Sequence, residues 1–363
     1  MDHFQFKDGV MHAEGVSLEA LAATVGTPFY CYSSATMERH FTVFRDAVAG
    51  LGNGTPLVAF AVKANPNLAV LATLARLGAG ADVVSGGEMA RALAAGVPAE
   101  RIVFSGVGKT RAELAAGVEA GILQFNVESE AEIDMLAQVA AAKGATVEIA
   151  IRINPAVDPK TNGKISTGGA DAKFGIPWER LPAAFAQAAA HPNLRPVGLA
   201  AHIGSQLTDL GPVEDAIRKL GDLARELEAL GHSIKRVDVG GGLGVPYRRD
   251  QAAPPSPADY AAMVARATAG WPWQLMFEPG RMIVGNAGVL VSEVILTKDG
   301  ASKHFVVVDA AMNDLLRPSL YGAWHDILAV RPKNKRTVAT VVGPICETGD
   351  TFAEDREIED VQS

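Results

Sequence analysis

The chain has 363 residues, of which 48% are hydrophobic and 20% charged, and a formal charge of −8. This excludes a disordered or fibrous protein, and an acidic chain without a basic tail is a poor partner for nucleic acid or an anionic membrane surface. Two cysteines, Cys31 and Cys346, exclude a disulfide scaffold, so a reducing, cytoplasmic compartment is expected; the polar stretch 1–14 carries no signal-peptide core, and no apolar run is long enough to span a bilayer.

In chain order, Phe4–Val10 and Pro28–Tyr32 read first as strands. Eight short β-rich apolar runs follow: Leu57–Val62, Ala81–Val84, Ile102–Phe104, Leu123–Val127, Val147–Ile153, Val197–Ile203, Ile234–Val239 and Gln274–Phe277. Between them lie Leu68–Leu77, Glu88–Ala95, Arg111–Ala120, Glu130–Lys143 and Val213–Leu230, rich in Ala, Leu and Glu with three- and four-residue apolar spacing. Gly78, Gly96, Gly121, Gly144 and Gly231 stand just past these stretches, where a helix end favours glycine. Strands alternating with helices eight times predict an α/β fold, a (β/α)8 TIM-type barrel, with a doubly wound open sheet as the alternative. Two long loops interrupt it, the polar 155–175 and the Pro-rich 250–257. After Glu278 the helices stop, and Val289–Thr297, Phe305–Asp309 and Thr337–Val342 predict a mostly antiparallel β domain. The expected division is therefore 1–32 as strands joining that domain, 33–278 as the barrel and 279–363 as the β domain.

A barrel of this kind carries its site at the C-terminal ends of its strands. There each apolar run turns polar: Lys63, Asp82 with Ser85, Ser105, Arg152 with Asn154, His202 with Ser205, Gly240–Gly241–Gly242, and Glu278 followed by Pro279, Gly280 and Arg281. At an apolar mouth, desolvation is expected to lower the Lys63 pKa and free its amine for Schiff-base chemistry. Three glycines after the seventh strand suit a phosphate. Glu278 suits a ring nitrogen, Arg281 a phosphate or carboxylate, and His202 the face of a planar cofactor. Taken singly, each has a plainer reading: a solvated lysine, a tight turn, a strand-end ion pair, a core histidine. Together they specify pyridoxal phosphate (PLP), an electron sink that the protein orients. No spacing of histidines and cysteines suggests a metal site.

The residues also resemble a known family, diaminopimelate decarboxylase, one of the barrel-type PLP enzymes that include alanine racemase and ornithine decarboxylase. The resemblance runs along essentially the whole chain, through AVKANPN (61–67), GADVVSGGE (80–88), HIGSQ (202–206), DVGGGLG (238–244), EPGR (278–281), NDLLRPSLYGAWH (313–325) and GPICETGD (343–350). It implies that Lys63 carries the cofactor, with Asp82 and His202 beside it. It implies that Ser205, Gly240, Gly241, Gly242, Gly280 and Arg281 hold the phosphate region, and that Glu278 pairs with the pyridine nitrogen. Alanine racemases have an arginine at that last position, which argues against racemisation. Arg281, Arg317, Tyr321 and Glu347 match substrate-binding positions, arginines for carboxylates and Glu347 for the distal ammonium of a diamino diacid. Cys346 matches the residue that returns a proton after CO₂ leaves, supplied from the other subunit of a homodimer. The implied reaction is meso-2,6-diaminopimelate to L-lysine and CO₂, the last step of lysine synthesis. The rivals are a decarboxylase of another diamino acid or of carboxynorspermidine, and a PLP-binding chain without turnover. Family members continue past CETGD through further strands and a tyrosine near the cofactor, whereas this sequence ends at Ser363 in the acidic stretch 353–363, so an unfinished β domain is expected.

Overall fold

The computed structural model describes residues 2–155, 172–248, 252–333 and 335–361. Most of the loop 155–175, and the first residues of the loop 250–257, lie outside the described residues. The chain divides into two compact units: Met37–Val245 with Ala253–Gly285, and Met1–Thr36 with Pro246–Ala252 and Asn286–Ser363.

The larger unit is a closed barrel of eight parallel strands: Leu57–Ala61, Gly80–Val83, Ile102–Phe104, Gln124–Val127, Val147–Asn154, Leu194–Ala200, Arg236–Asp238 and Gln274–Phe277. Met276 and Phe277 pair with Leu57 and Val58 and close the ring. Every residue of Leu57–Ala61, Gly80–Val83 and Gln124–Val127 is buried, as expected of strands covered on both faces. Leu57, Ala59, Val103 and Met276 fill one interior cluster. A short ninth strand, Ile176–Pro177, adds in parallel to the end of the fifth.

Local sequence sets the helix boundaries. Ser85, Ser129 and Asn67 accept backbone N–H groups at the starts of Gly86–Ala94, Glu130–Ala142 and Leu68–Arg76. Thr110 and Glu113 form a reciprocal capping box on Arg111–Ala120, which Gly121 ends in the left-handed conformation at φ 65°. Inside the same helix a Cβ on Gly117 would sit 2.8 Å from the Phe125 ring, so glycine allows helix and fourth strand to pack closely.

The smaller unit contains three sheets. Phe4–Lys7, Val10–Ala13 and Val16–Ser17 form an antiparallel meander. Phe29–Tyr32 pairs antiparallel with Gly288–Val291. Val294–Asp299, His304–Val308, Arg336–Val342 and Thr351–Glu359 form a four-stranded sheet with one parallel pair, His304–Val308 against Arg336–Val342. Val306, Val308, Ala339, Val341, Ala353 and Ile358 make its core.

Three sequence expectations change here. Phe4–Val10 is not one strand: Asp8 and Gly9 both take positive φ (50° and 76°), the conformation of a tight hairpin turn. Val289–Thr297 is two strands because the chain changes sheets at Ser292–Glu293, where the Glu293 N–H donates to Asp309 Oδ1 at 2.8 Å. The acidic stretch from residue 353 is mostly strand, its Ala353 and Ile358 buried while Glu354, Asp355 and Glu357 face solvent.

Candidate active site

The barrel gathers its polar side chains at the ends of its strands. Lys63 lies in the single 3-10 turn Val62–Ala64 that follows the first strand, and its Nζ is 3.1 Å from Asp82 Oδ2 on the second. Asp82 is wholly buried, and its other oxygen, Oδ1, has no hydrogen-bond partner among the described residues. The Lys63 side chain remains 48% exposed at the mouth. Burial pulls the ammonium pKa down, but Asp82, and then Glu278, more than offset this, and the net shift is upward. The sequence expectation of an amine freed by desolvation is thus reversed: the ion pair keeps Lys63 protonated until a ligand displaces it.

Glu278 stands just past the eighth strand and Asp238 ends the seventh, both buried. Ser105 Oγ and Asn126 Nδ2 lie 3.4 and 3.5 Å from Glu278 Oε1, and Asn126 also donates to Asp238 Oδ2 at 3.3 Å. Burial pushes the Glu278 carboxyl well above its usual range, and the neighbouring Asp238 and Asp82 push it further. His202 receives the Gly241 N–H at Nδ1, 3.2 Å away. Its pKa is far below the usual value, first from burial and then from Lys63 and Arg152. The ring is therefore neutral at physiological pH, suited to packing on a flat ligand.

The glycine run lets three loops converge. Gly240 and Gly242 take φ of +71° and +102°. A Cβ on Gly241 would strike the Glu278 carbonyl oxygen, and one on Gly242 the Gly204 carbonyl oxygen. Gly280 approaches the methyl groups of Ala61 and Ala64, 3.1 Å from where its own Cβ would lie. A small cleft lies here, lined by Phe44, Gly241, Gly242, Tyr260, Gly280 and Met282. The buried Tyr260 hydroxyl has no hydrogen-bond partner among the described residues. Ser205 is half-buried near this run, and Arg281 opens the short helix Arg281–Val284. A lysine amine, a neutral imidazole, a protonatable carboxyl, an unpartnered Asp82 oxygen and a glycine-built cleft fit pyridoxal phosphate. Among the described residues no cluster of His, Cys, Asp or Glu is arranged to hold a metal ion.

Behind the mouth lies a buried polar layer. Lys109 Nζ donates to Glu132 Oε1 at 2.7 Å and to the carbonyls of Gly106 and Asn126. Arg152 pairs with Glu128 at 2.9 Å. In the sequence Ser105 and Arg152 stand as polar strand ends without a role, Asp238 is marked only as the first residue of DVGGGLG, and Asn126, Glu128 and Tyr260 fall in no motif. The signal for Asn126 and Asp238 is a polar residue next to an apolar one in a short, fully buried barrel strand, Gln124–Val127 or Arg236–Asp238.

The remaining candidates belong to the smaller unit. Arg317 opens the helix Arg317–Tyr321, and its NH1 is 3.0 Å from His325 Nε2. Its guanidinium lies 4.9 Å from the Tyr247 ring centre, and Tyr247 meets His325 edge-on. Burial first, then Arg317 and Arg356, lower the His325 pKa to about 4, so a neutral imidazole accepts from Arg317. Tyr321 is 38% exposed. Cys346 and Glu347 are both exposed on the turn between the last two strands. That turn is built on Asp350, only 2% exposed, which accepts the N–H of Met312 at 2.6 Å and of Ile345 at 2.8 Å. The structure thus brings Lys63, Asp82, His202, the glycines and Glu278 together in one unit, and places Arg317, Tyr321, Cys346 and Glu347 in the other.

Comparison with known proteins agrees with this picture. Residues 34–285 match the family model of the pyridoxal-dependent decarboxylase pyridoxal-binding domain. A curated relative from Zymomonas mobilis, named diaminopimelate decarboxylase, is 51% identical over 99% of this chain and 86% of its own length. The crystal structure of diaminopimelate decarboxylase from Helicobacter pylori, complexed with L-lysine, matches with a TM-score of 0.90 and 41% identity, over 95% of this chain and 85% of that one. That of the M. jannaschii enzyme matches with a TM-score of 0.93 and 38% identity, over 99% and 85%.

Proposed function

Because the chain belongs to the diaminopimelate decarboxylase family of pyridoxal-dependent decarboxylases, we propose that it converts meso-2,6-diaminopimelate to L-lysine and CO₂. The protein is a PLP-dependent carboxy-lyase. The observation that carries the reading is the mouth: one lysine paired with a buried aspartate, one neutral histidine and one buried glutamate, all at strand ends.

Lys63 would hold the cofactor through its amine and Glu278 through the ring nitrogen. His202 would hold the ring face, and Ser205, Gly240, Gly241, Gly242, Gly280 and Arg281 the phosphate region. When bound, the cofactor supplies a protonated ring that takes up the electrons of the broken carbon–carboxylate bond. The protein's residues do the rest. Asp82 positions the Lys63 amine through their 3.1 Å pair. Arg281 and Arg317 bind carboxylates, and His325 orients Arg317 without cancelling its charge. Tyr321 borders the substrate, Glu347 takes the distal ammonium, and Cys346 returns a proton to the carbon that has lost CO₂. The same reading includes a homodimer with sites shared between subunits, Cys346 crossing from one to the other, and a cytoplasmic location. Among the described residues no helix is long and apolar enough to cross a membrane.

Specificity follows from charge. Ornithine and arginine lack the distal carboxylate that an arginine would bind, so they are expected to turn over poorly. The test is lysine release from meso-diaminopimelate by PLP-loaded protein, with ornithine and arginine as competing substrates. Equal turnover of ornithine would reject the assignment.

A further inference from the structure

The glycine run after the seventh strand spends most of its backbone groups on the protein itself. Gly240 N–H donates to Asp238 Oδ1 at 2.9 Å, and the Gly240 carbonyl accepts the Glu278 N–H at 2.8 Å. Gly241 N–H donates to His202 Nδ1 at 3.2 Å. The Gly242 carbonyl accepts the Leu207 N–H at 2.9 Å, whereas the Gly242 N–H donates to no group among the described residues. Of the three amides, Gly242 alone therefore remains for an anion. The His202 segment is packed tightly on the run: a Cβ on Gly240 would lie 3.0 Å from His202 Nδ1 and 2.5 Å from the Ala201 carbonyl oxygen. An N–H pointing at Nδ1 requires a lone pair there, so the neutral imidazole carries its hydrogen on Nε2.

We propose that His202 is a positioning residue for the phosphate loop: its Nδ1 holds the Gly241 amide, and this keeps the Gly242 amide available to the phosphate of PLP. The inference rests on the reading of the glycine run as the phosphate site. One side chain then serves both ends of the cofactor. Its ring packs on the pyridine face, and its Nδ1 fixes the loop that takes the phosphate. A residue offering only a flat ring would serve the first end and fail the second. A residue offering only an acceptor would do the reverse. The lowered imidazole pKa, from burial first, agrees with this arrangement, because a proton on Nδ1 would face the Gly241 N–H.

Titration of the protein with PLP and with pyridoxal, which lacks the phosphate, tests this through Schiff-base absorbance and needs no turnover. The quantity read is the preference for PLP over pyridoxal. His202→Phe keeps a flat ring and removes the acceptor, so the preference should fall about tenfold, as expected of one enclosed N–H left unpaired. His202→Asn puts an amide oxygen in place of Nδ1 and removes the ring, so both ligands should weaken together and the preference should stay at the wild-type level. A wild-type preference in His202→Phe, or an equal loss of preference in both variants, overturns the proposal. A wild-type protein that does not prefer PLP overturns the phosphate reading of the glycine run, and the proposal with it. Should a variant fail to fold, ¹⁵N NMR of labelled histidine in the wild-type protein decides. The expected His202 signals are a bare Nδ1 and an Nε2 that carries hydrogen, and a hydrogen on Nδ1 overturns the proposal.

Discussion

At the scale of single residues, the site depends on which groups carry charge. The Lys63–Asp82 pair fixes the amine at the strand end, where the proposed cofactor aldehyde would meet it. Lys63→Ala should abolish covalent attachment of PLP and reduce turnover by several orders of magnitude, measured by visible absorbance and lysine release; wild-type absorbance would remove the residue from its role. Glu278 makes a prediction about stability. Its folded pKa lies above its unfolded value of about 4.5, so the folded state binds more protons than the unfolded one between those two values. Its contribution is fully present below pH 4.5 and is lost as pH rises toward the folded pKa. Denaturant unfolding of cofactor-free protein should therefore show Glu278→Gln losing less stability than wild type as pH is raised from 4.5 to neutrality. Parallel curves would mean that Glu278 is ionised in the folded protein. Lys63, Glu278, His202 and the glycines were legible in the sequence because each ends or follows an apolar run. The sign of the Lys63 shift was not, because the deciding partner, Asp82, sits 19 residues away and meets it only through strand pairing.

At the scale of elements, boundaries follow caps and turns, and the active-site loops follow their anchors. Removing the Thr110 cap with Thr110→Ala should cost about 1 kcal/mol in chemical denaturation, with turnover unchanged because the helix start does not touch the site; no loss would show that Glu113 alone sustains the start. Asp350 is more consequential. It accepts the N–H of Ile345 within the turn bearing Cys346 and Glu347 and ties that turn to the segment after His304–Val308 by accepting the N–H of Met312. Asp350→Ala should lower stability by about 1 kcal/mol by leaving partly buried donors unpaired, and should lower kcat/KM as well, since both proposed substrate-facing residues lose their support. Glu347→Ala should instead raise KM for diaminopimelate with stability intact. Most of the barrel strands could be read from sequence because strands buried on both faces are mainly apolar runs, as in Leu57–Ala61 and Gln274–Phe277. The last strand could not: register shifts near Val341 break its alternation, and its exposed acids mask the buried Ala353 and Ile358. The interior pair of Asn126 and Asp238 escaped for a related reason, since a polar residue within a buried strand has meaning only through what lies opposite it.

At the scale of the whole molecule, the barrel unit holds the residues proposed to bind the cofactor, and the β unit holds those proposed to select and reprotonate the substrate. Neither set alone specifies the reaction. The mouth fits PLP chemistry in general, while two carboxylates and a distal ammonium require Arg281, Arg317 and Glu347 together. The measurement that tests this most directly is lysine and CO₂ release from meso-diaminopimelate by the PLP-loaded chain, with ornithine and arginine alongside. The account predicts stoichiometric lysine and CO₂ from diaminopimelate at catalytic turnover, with the other two substrates far behind. PLP bound through Lys63 with no lysine formed, or with ornithine consumed as readily, would contradict it.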